Sequence, residues 1–181
     1  MRFTMPLIFA AAAALLIGCA PAVSIHPLYT PQDLVADSSL EGQWAASDGE
    51  FWQVQRSGDG YAVTVFHAGE TSAEAFNIHL LRLKDTEFAD ATSKSNPSLG
   101  ITGHLLARIS LQGDDLRVAL LDDDWMKKAV KSGQAPQSIT GEENGQIILT
   151  APTGDLQRFV LQHAADADAW DADVGVFHRM R

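Results

Sequence analysis

Paired runs rich in β-branched and aromatic residues, each pair separated by turn-forming residues, constrain this chain to antiparallel β structure. The turn clusters are residues 56–60, Gln112-Gly113-Asp114 and Asn144-Gly145. The Asn-Gly pair favours the type I′ turn of a tight hairpin. The sequence therefore predicts three hairpins, which pair 51–55 with 61–66, 104–111 with 116–121, and Ile139 with 147–149.

Further strands are predicted on both sides of these hairpins. Residues 76–80 alternate with period two in a strand that runs on towards Leu83, and a turn at Lys84-Asp85 allows 87–90 to pair with it. Residues 91–100 contain Ser, Thr, Asn, Pro and Gly, which predicts a loop. The chain becomes strand-like from Leu40, and residues 174–179 are expected to form a last strand.

Two helices are predicted among the strands. Asp122-Asp123-Asp124 precedes residues 125–131, which end in lysine before Gly133, so the charges match the polarity and capping of a helix. Thr153 is expected to cap a second helix that extends to about His163. Its apolar residues recur at i, i+3 and i+4, as expected for a helix that lies on a sheet; they are Leu156, Phe159 and Val160.

The residues Gly42-Gln43-Trp44 resemble the Gly-x-Trp signature that opens the first strand of lipocalins. The resemblance implies a barrel whose end is closed by Trp44, with an Arg of the last strand packed across the indole; Arg179 is suitably placed. With the strand pattern, it predicts a mainly β fold: a single antiparallel lipocalin-like barrel or half-barrel with two short helices packed outside. The alternative is an open twisted sheet with the 153–163 helix on one face.

The N-terminal residues indicate export. Arg2 precedes an apolar run from Met5 to Ile17, which is shorter than the roughly 20 residues that span a bilayer. Leu16-Ile17-Gly18 then leads into Cys19, the only cysteine, and this order resembles the bacterial lipoprotein signal. The resemblance implies cleavage before Cys19 and lipid, such as palmitate, on that residue. An ordinary secretory signal is the alternative, and it would leave a lone thiol in an oxidising compartment.

The domain boundaries follow from this interpretation. Residues 1–18 form the signal peptide, residues 19–39 the lipidated Cys19, a tether at 20–24 and a lead-in segment at 26–35, and residues 40–181 one β-rich domain. Pro27 and Pro31 keep the lead-in segment out of a helix. In bacterial lipoproteins an Asp after the cysteine generally favours the inner membrane. Ala20 is not that residue, so for a Gram-negative host the resemblance implies the outer membrane, facing the periplasm.

The net charge of the chain limits the classes of partner that it can bind. With 13 Lys and Arg against 23 Asp and Glu, the net charge is -10. An acidic surface repels phosphate, which argues against nucleic acid and against a polybasic membrane-binding face. The membrane is expected to be reached through the lipid on Cys19 alone.

A broader resemblance to a family of uncharacterised bacterial lipoproteins covers most of the domain. It implies no activity, cofactor or catalytic residue. The similar segments are residues 27–30, 33–35, 40–44, 79–83, 88–90, 120–125 and 149–153, with Leu156 and Phe159.

No metal site is expected. No pair of histidines has the i, i+4 spacing of a zinc protease, although His67 and His79 could meet across neighbouring strands. Residues 166–175 are rich in Asp but lack the order of an EF-hand loop, so a solvated linker or a frayed helix end is expected there. The six histidines are His26, His67, His79, His104, His163 and His178.

No catalytic motif is present: the chain lacks a Gly-x-Ser-x-Gly elbow, a phosphate-binding glycine loop and a His-Glu-x-x-His. A non-catalytic envelope lipoprotein that binds a protein partner or supports the envelope is therefore expected, without a cofactor. The alternative is a lipocalin-like carrier of a small apolar ligand, which needs an empty interior. Six aromatic residues favour a filled barrel and hence the first hypothesis; they are Phe51, Trp52, Tyr61, Phe66, Phe76 and Phe88.

Overall fold

A computed structural model describes residues 21–94, 102–141 and 145–181, apart from the side chains of 171–174. Within these ranges the chain forms eleven strands and two helices. The helices are α1 (Asp123–Lys131) and α2 (Thr153–Gln162). The strands are β1 (Val23–Ser24), β2 (Gly42–Ala46), β3 (Phe51–Ser57), β4 (Gly60–Phe66), β5 (Ala73–Leu83), β6 (Thr86–Ser93), β7 (His104–Gln112), β8 (Asp115–Leu121), β9 (Ser138–Thr140), β10 (Ile147–Leu149) and β11 (Trp170–Arg179).

Eight of the strands close into an antiparallel barrel. Strands β2 to β8 follow one another as a meander, and β11 pairs with both β8 and β2 to complete the ring. The last closing contact places Phe177 opposite Ala46 and Arg179 opposite Trp44. The predicted lipocalin-like barrel is therefore confirmed, and the ring is closed rather than an open sheet.

A small extension continues the sheet outside the barrel. Strand β1 pairs antiparallel with β7 through Ser24 and His104, and parallel with β10. Strand β10 pairs in turn with β9, which confirms the third predicted hairpin. The tether predicted at 20–24 is thus partly wrong: Val23 and Ser24 are hydrogen-bonded in the sheet, and Ser24 is fully buried.

The barrel wall separates two apolar cores. Residues that point inward from the strands form the first, which includes Trp44, Val63 and Phe177. The second lies outside β5–β8, where Phe88 and Leu106 pack against the helices and β10. The stripe of α2 faces this outer core, so Leu156, Phe159 and Val160 are all buried there.

The lead-in segment is bound to the barrel because β5 is longer than β4. The first residue of β4 that pairs with β5, Tyr61, lies opposite Ile78, so β5 extends beyond β4. The backbone groups of residues 80–82 on that edge of β5 are therefore open to another partner. Val35 N–H donates to Leu80 O at 3.0 Å, and Arg82 N–H donates to Asp33 O at 3.0 Å. Leu28, which the sequence analysis did not single out, is the fully buried anchor of this segment.

The structure corrects four local predictions. Pro152, not Thr153, occupies the cap of α2, and the Thr153 hydroxyl donates instead to Pro27 O at 2.8 Å. Residues 91–93 belong to β6 rather than to the predicted loop, because Ala91 and Thr92 pair with β7; 95–101 lie outside the described residues. The expected linker at 166–175 is a short 3-10 turn followed by β11, which begins at Trp170 rather than at residue 174. A break in register between Asp171 and Gly175 hides this start from a period-two reading.

Candidate functional site

One end of the barrel is closed by Trp44 and Arg179. The Trp44 indole is fully buried and donates to Leu40 O at 2.9 Å, within the turn that precedes β2. The guanidinium carbon of Arg179 lies 4.3 Å from the centre of the indole ring, and Nη1 donates to Glu41 O at 2.9 Å. Gly42 leaves room for this arginine, since a Cβ there would lie 3.0 Å from Nη1. The expected Arg–Trp contact is confirmed.

The interior of the barrel contains an apolar cavity of about 160 Å³. Three alanines on β6 and β7 point inward where other strands carry larger residues, and this is what leaves the space. The alanines are Ala89, Ala91 and Ala107; the remaining lining residues are Leu40, Trp52, Val54, Tyr61, Val63, Val65, Phe76, Ile78, Leu105, Ile109, Leu116, Val118 and Leu120.

The six aromatic residues expected to fill the barrel do not all point inward. Phe51 and Phe66 contact each other, with ring centres 5.6 Å apart, and Phe66 is exposed. Phe88 packs against Trp170 in the outer core. Only Trp52, Tyr61 and Phe76 line the cavity. The prediction that all six aromatic side chains fill the barrel is therefore wrong for half of them.

The tyrosine of the cavity wall is held in place by the lead-in region. Tyr61 is buried and its hydroxyl donates to Asp37 O at 3.0 Å, while Asp37 N–H donates to the same hydroxyl at 2.8 Å. The polar end of Tyr61 is therefore satisfied by backbone, and its ring presents carbon to the cavity. A dry lining suits apolar molecules and excludes charged ones.

The histidines occupy separate environments. His67 Nδ1 lies 3.0 Å from Glu50, whereas His79 Nε2 lies 3.4 Å from Asp59, so the two histidines that could have met have different carboxylate partners. His178 Nδ1 lies 2.7 Å from Asp115 on the surface. No three His, Cys, Asp or Glu side chains converge on a possible metal position within the described residues.

Sequence analysis missed one buried charge, Asp90, on the outer face of β6. Its Oδ2 accepts from Leu28 N–H at 2.7 Å, and its Oδ1 lies 2.7 Å from Nδ1 of His104. The residue is fully buried. An Asp inside a strand of small residues, Ala89-Asp90-Ala91, was the available signal, because a charge in such a position requires partners.

The candidate anchor, Cys19, lies outside the described residues. The part of the chain that is described contains no helix of the length and apolarity needed to cross a bilayer. The lipid attachment at Cys19 therefore stays a prediction from the sequence.

The chain matches no family model, no curated protein and no solved structure.

Proposed function

We propose that this protein is a cell-envelope lipoprotein whose barrel binds a small apolar molecule. The observation that carries the proposal is the cavity of about 160 Å³ in the interior of the barrel. Every residue that lines it contributes carbon to the interior, and Ala89, Ala91 and Ala107 keep it open. Packed protein interiors have few voids larger than a water molecule, so a void of this size is a feature that needs an explanation.

The volume limits the size of the ligand. An apolar cavity of about 150 Å³ in another protein stays dry and binds benzene or xenon. The cavity here is also smaller than the roughly 300–1,000 Å³ of pockets that take drug-sized ligands. A single aromatic ring or a short branched hydrocarbon group therefore fits, whereas a long acyl chain requires the walls to move.

The anchor supplies the setting for this binding. Lipid on Cys19 would hold the barrel at a membrane surface, where small apolar compounds partition and are locally concentrated. The short link from Cys19 to the first described strand, Val23–Ser24, keeps the barrel close to that surface. The protein would thus act as a carrier or sensor rather than as an enzyme.

The test is fluorine NMR of fluorobenzene with the lipid-free chain from Ala20 onward. We expect saturable binding to the unmodified chain and loss of binding in Ala107→Leu, which fills the cavity. The matched control is Ala73→Leu, because Ala73 is exposed at the start of β5 and does not line the cavity.

Two results would count against the carrier. Absence of saturable fluorobenzene binding would contradict it, as would equal binding in Ala107→Leu and Ala73→Leu. Either result would favour the other hypothesis, in which the anchored domain binds a protein partner or supports the envelope. Cross-linking in intact cells would then identify that partner.

A further inference from the structure

A second, polar cavity lies on the outside of the barrel, where the lead-in segment crosses β4–β7. Its volume is about 440 Å³, within the range of roughly 300–1,000 Å³ typical of small-molecule sites. This outer cleft is defined here by Tyr29, Asp59, Asn77, His79, Thr92 and His104.

The position of these side chains follows from strand alternation. Ile78 and Ala91 line the inner cavity, so their neighbours Asn77, His79 and Thr92 point to the opposite face of the same strands. The outer cleft and the inner cavity are thus two sites on two sides of one wall. The apolar side of the wall selects apolar ligands, and the polar side has a different chemistry.

His104 is presented to the cleft in a fixed orientation. Its Nδ1 lies 2.7 Å from Asp90 Oδ1, and the other carboxylate oxygen of Asp90 is held by Leu28 N–H at 2.7 Å. Since an ionised carboxylate only accepts, the Nδ1 that faces Asp90 carries a proton, and Nε2 is the ring nitrogen left to meet a ligand. Buried Asp90 therefore fixes the orientation of the ring, as second partners of functional histidines commonly do.

His79 gives the cleft a second oriented imidazole. Its ring stacks on Tyr29 with centres 4.4 Å apart, and its Nε2 lies 3.4 Å from Asp59. Its Nδ1 is buried with no hydrogen-bond partner among the described residues, and a buried polar atom without a partner is uncommon in native proteins. Gly60 permits this arrangement, because a Cβ there would lie 2.4 Å from Ile78 O and 3.1 Å from the His79 ring.

The electrostatics of the cleft disfavour anions. Burial raises the pKa of Tyr29, and the charges of Asp90 and Asp59 raise it further, which shows that this position experiences negative potential. Among the described residues that line the cleft, none is a Lys or an Arg. Phosphorylated or carboxylated ligands would therefore meet repulsion without a compensating cation.

We propose that the outer cleft binds a small neutral sugar. The amide of Asn77, the hydroxyls of Thr92 and Tyr29 and the imidazole of His104 supply both donors and acceptors. Sugar hydroxyls also donate and accept, so they match a mixed set of this kind better than ligands that only donate. The ring of Tyr29 adds apolar surface for the carbon face of a pyranose.

The experiment is saturation-transfer NMR on the full-length protein, purified in a detergent without a sugar headgroup. The probes are glucose, N-acetylglucosamine and the anionic glucuronate. We expect saturable binding of at least one neutral sugar and binding of glucuronate that is at least tenfold weaker. Failure of both neutral sugars to bind, or tighter binding of glucuronate, would overturn the proposal.

Two variants locate the binding on the protein. Asn77→Ala removes an amide from an exposed position and should weaken sugar binding roughly three- to tenfold, the effect of one hydrogen bond. Thr64→Ala on the neighbouring strand does not line the cleft and serves as the control. His104→Gln should weaken binding at least as much, and the Asn77 variant decides the matter if the His104 variant does not fold. Equal binding in Asn77→Ala and Thr64→Ala would refute the site.

Ala107→Leu separates this proposal from the carrier function. It fills the inner cavity and leaves the outer cleft unchanged, so sugar binding should persist while fluorobenzene binding is lost. Loss of both would show that the sugar enters the barrel and not the outer cleft.

Discussion

At the scale of single residues, Arg179 shows how one side chain joins the two ends of the domain. It belongs to the last strand, yet its guanidinium lies over Trp44 and donates to the carbonyls of Ser39 and Glu41. Because one guanidinium makes a cation–π contact and two charge-assisted hydrogen bonds, a single substitution removes all three. An arginine at this position stabilises the closed end in a way that a lysine, with one point charge, cannot reproduce.

Replacing this arginine should therefore destabilise the barrel. We expect Arg179→Met to lower the free energy of unfolding by about 1–2 kcal/mol, since the two carbonyls can still be hydrated at the surface. Urea denaturation of Arg179→Met beside Arg181→Met measures the effect. Among the described residues Arg181 forms an ion pair with Asp114, and its side chain is 89% exposed, so its replacement should change little. Equal effects of the two changes would contradict the closing role of Arg179.

The contrast between Arg179 and Asp90 shows which side-chain contacts a sequence can predict. The Gly-x-Trp motif predicts the contact between Trp44 and Arg179, whereas no motif marks Asp90. Its role depends on His104 and on Leu28, which is 62 positions away in the chain. Such contacts are set by the closure of the barrel and leave no local periodicity, so only the structure identifies them.

At the scale of elements, α2 is bound to the barrel by an apolar stripe and by one polar bridge. The stripe buries Leu156 completely. The bridge is Gln157, whose amide donates to Leu28 O at 2.9 Å and to Asp33 Oδ2 at 2.8 Å. The helix and the lead-in segment therefore stabilise each other against the outer wall. Thr153 adds to this contact, because its hydroxyl donates to Pro27 O instead of capping the helix.

The stripe gives a direct stability prediction. Leu156→Ala should lower the free energy of unfolding by about 2–5 kcal/mol, because it leaves a cavity in the outer core. Gln162→Ala, at an exposed position at the end of the same helix, is the control and should change stability by less than about 0.5 kcal/mol. Thermal or chemical denaturation distinguishes the two. A small loss for Leu156→Ala would show that α2 does not pack against the wall in solution.

The polar bridge gives a pH prediction through Asp33. Burial would raise the pKa of Asp33, but hydrogen bonds from the Thr30 side chain and backbone and from Gln157 outweigh it and hold the pKa below its ordinary value. A lowered pKa in the folded state means that the stabilisation is present above pH about 4 and is lost as the pH falls through the folded-state pKa. Asp33→Asn should therefore cost stability at pH 7 and flatten the decline below pH 4.

The measurement is the free energy of unfolding of both chains between pH 7 and pH 2.5. Asp48→Asn, at an exposed turn position, is the control and should follow the unmodified protein. Parallel curves for Asp33→Asn and the unmodified chain would show that Asp33 is not a favoured carboxylate in the folded state.

At the scale of the whole molecule, the barrel wall formed by β6, β7 and β8 is buried on both faces. Inward residues line the cavity, and outward residues such as Phe88, Leu106 and Ala119 pack in the outer core. The sequence predicted the number and pairing of most strands because turns and alternation are local. It did not predict which side was filled: apolar residues on both faces look alike in a sequence, and the volume left over depends on all eight strands.

The same substitution, made on two neighbouring strands, tests how closely each face of the wall is packed. Ala107→Leu places a larger side chain into the empty cavity and should leave stability unchanged or raise it by about 0.5–2 kcal/mol. Ala119→Leu places it into the packed outer core and should lower stability by about 1–3 kcal/mol. Urea denaturation of the two variants compares them directly. A loss of similar size in both would mean that the barrel interior is as closely packed as the outer core, and the apolar ligand would then have no site to occupy.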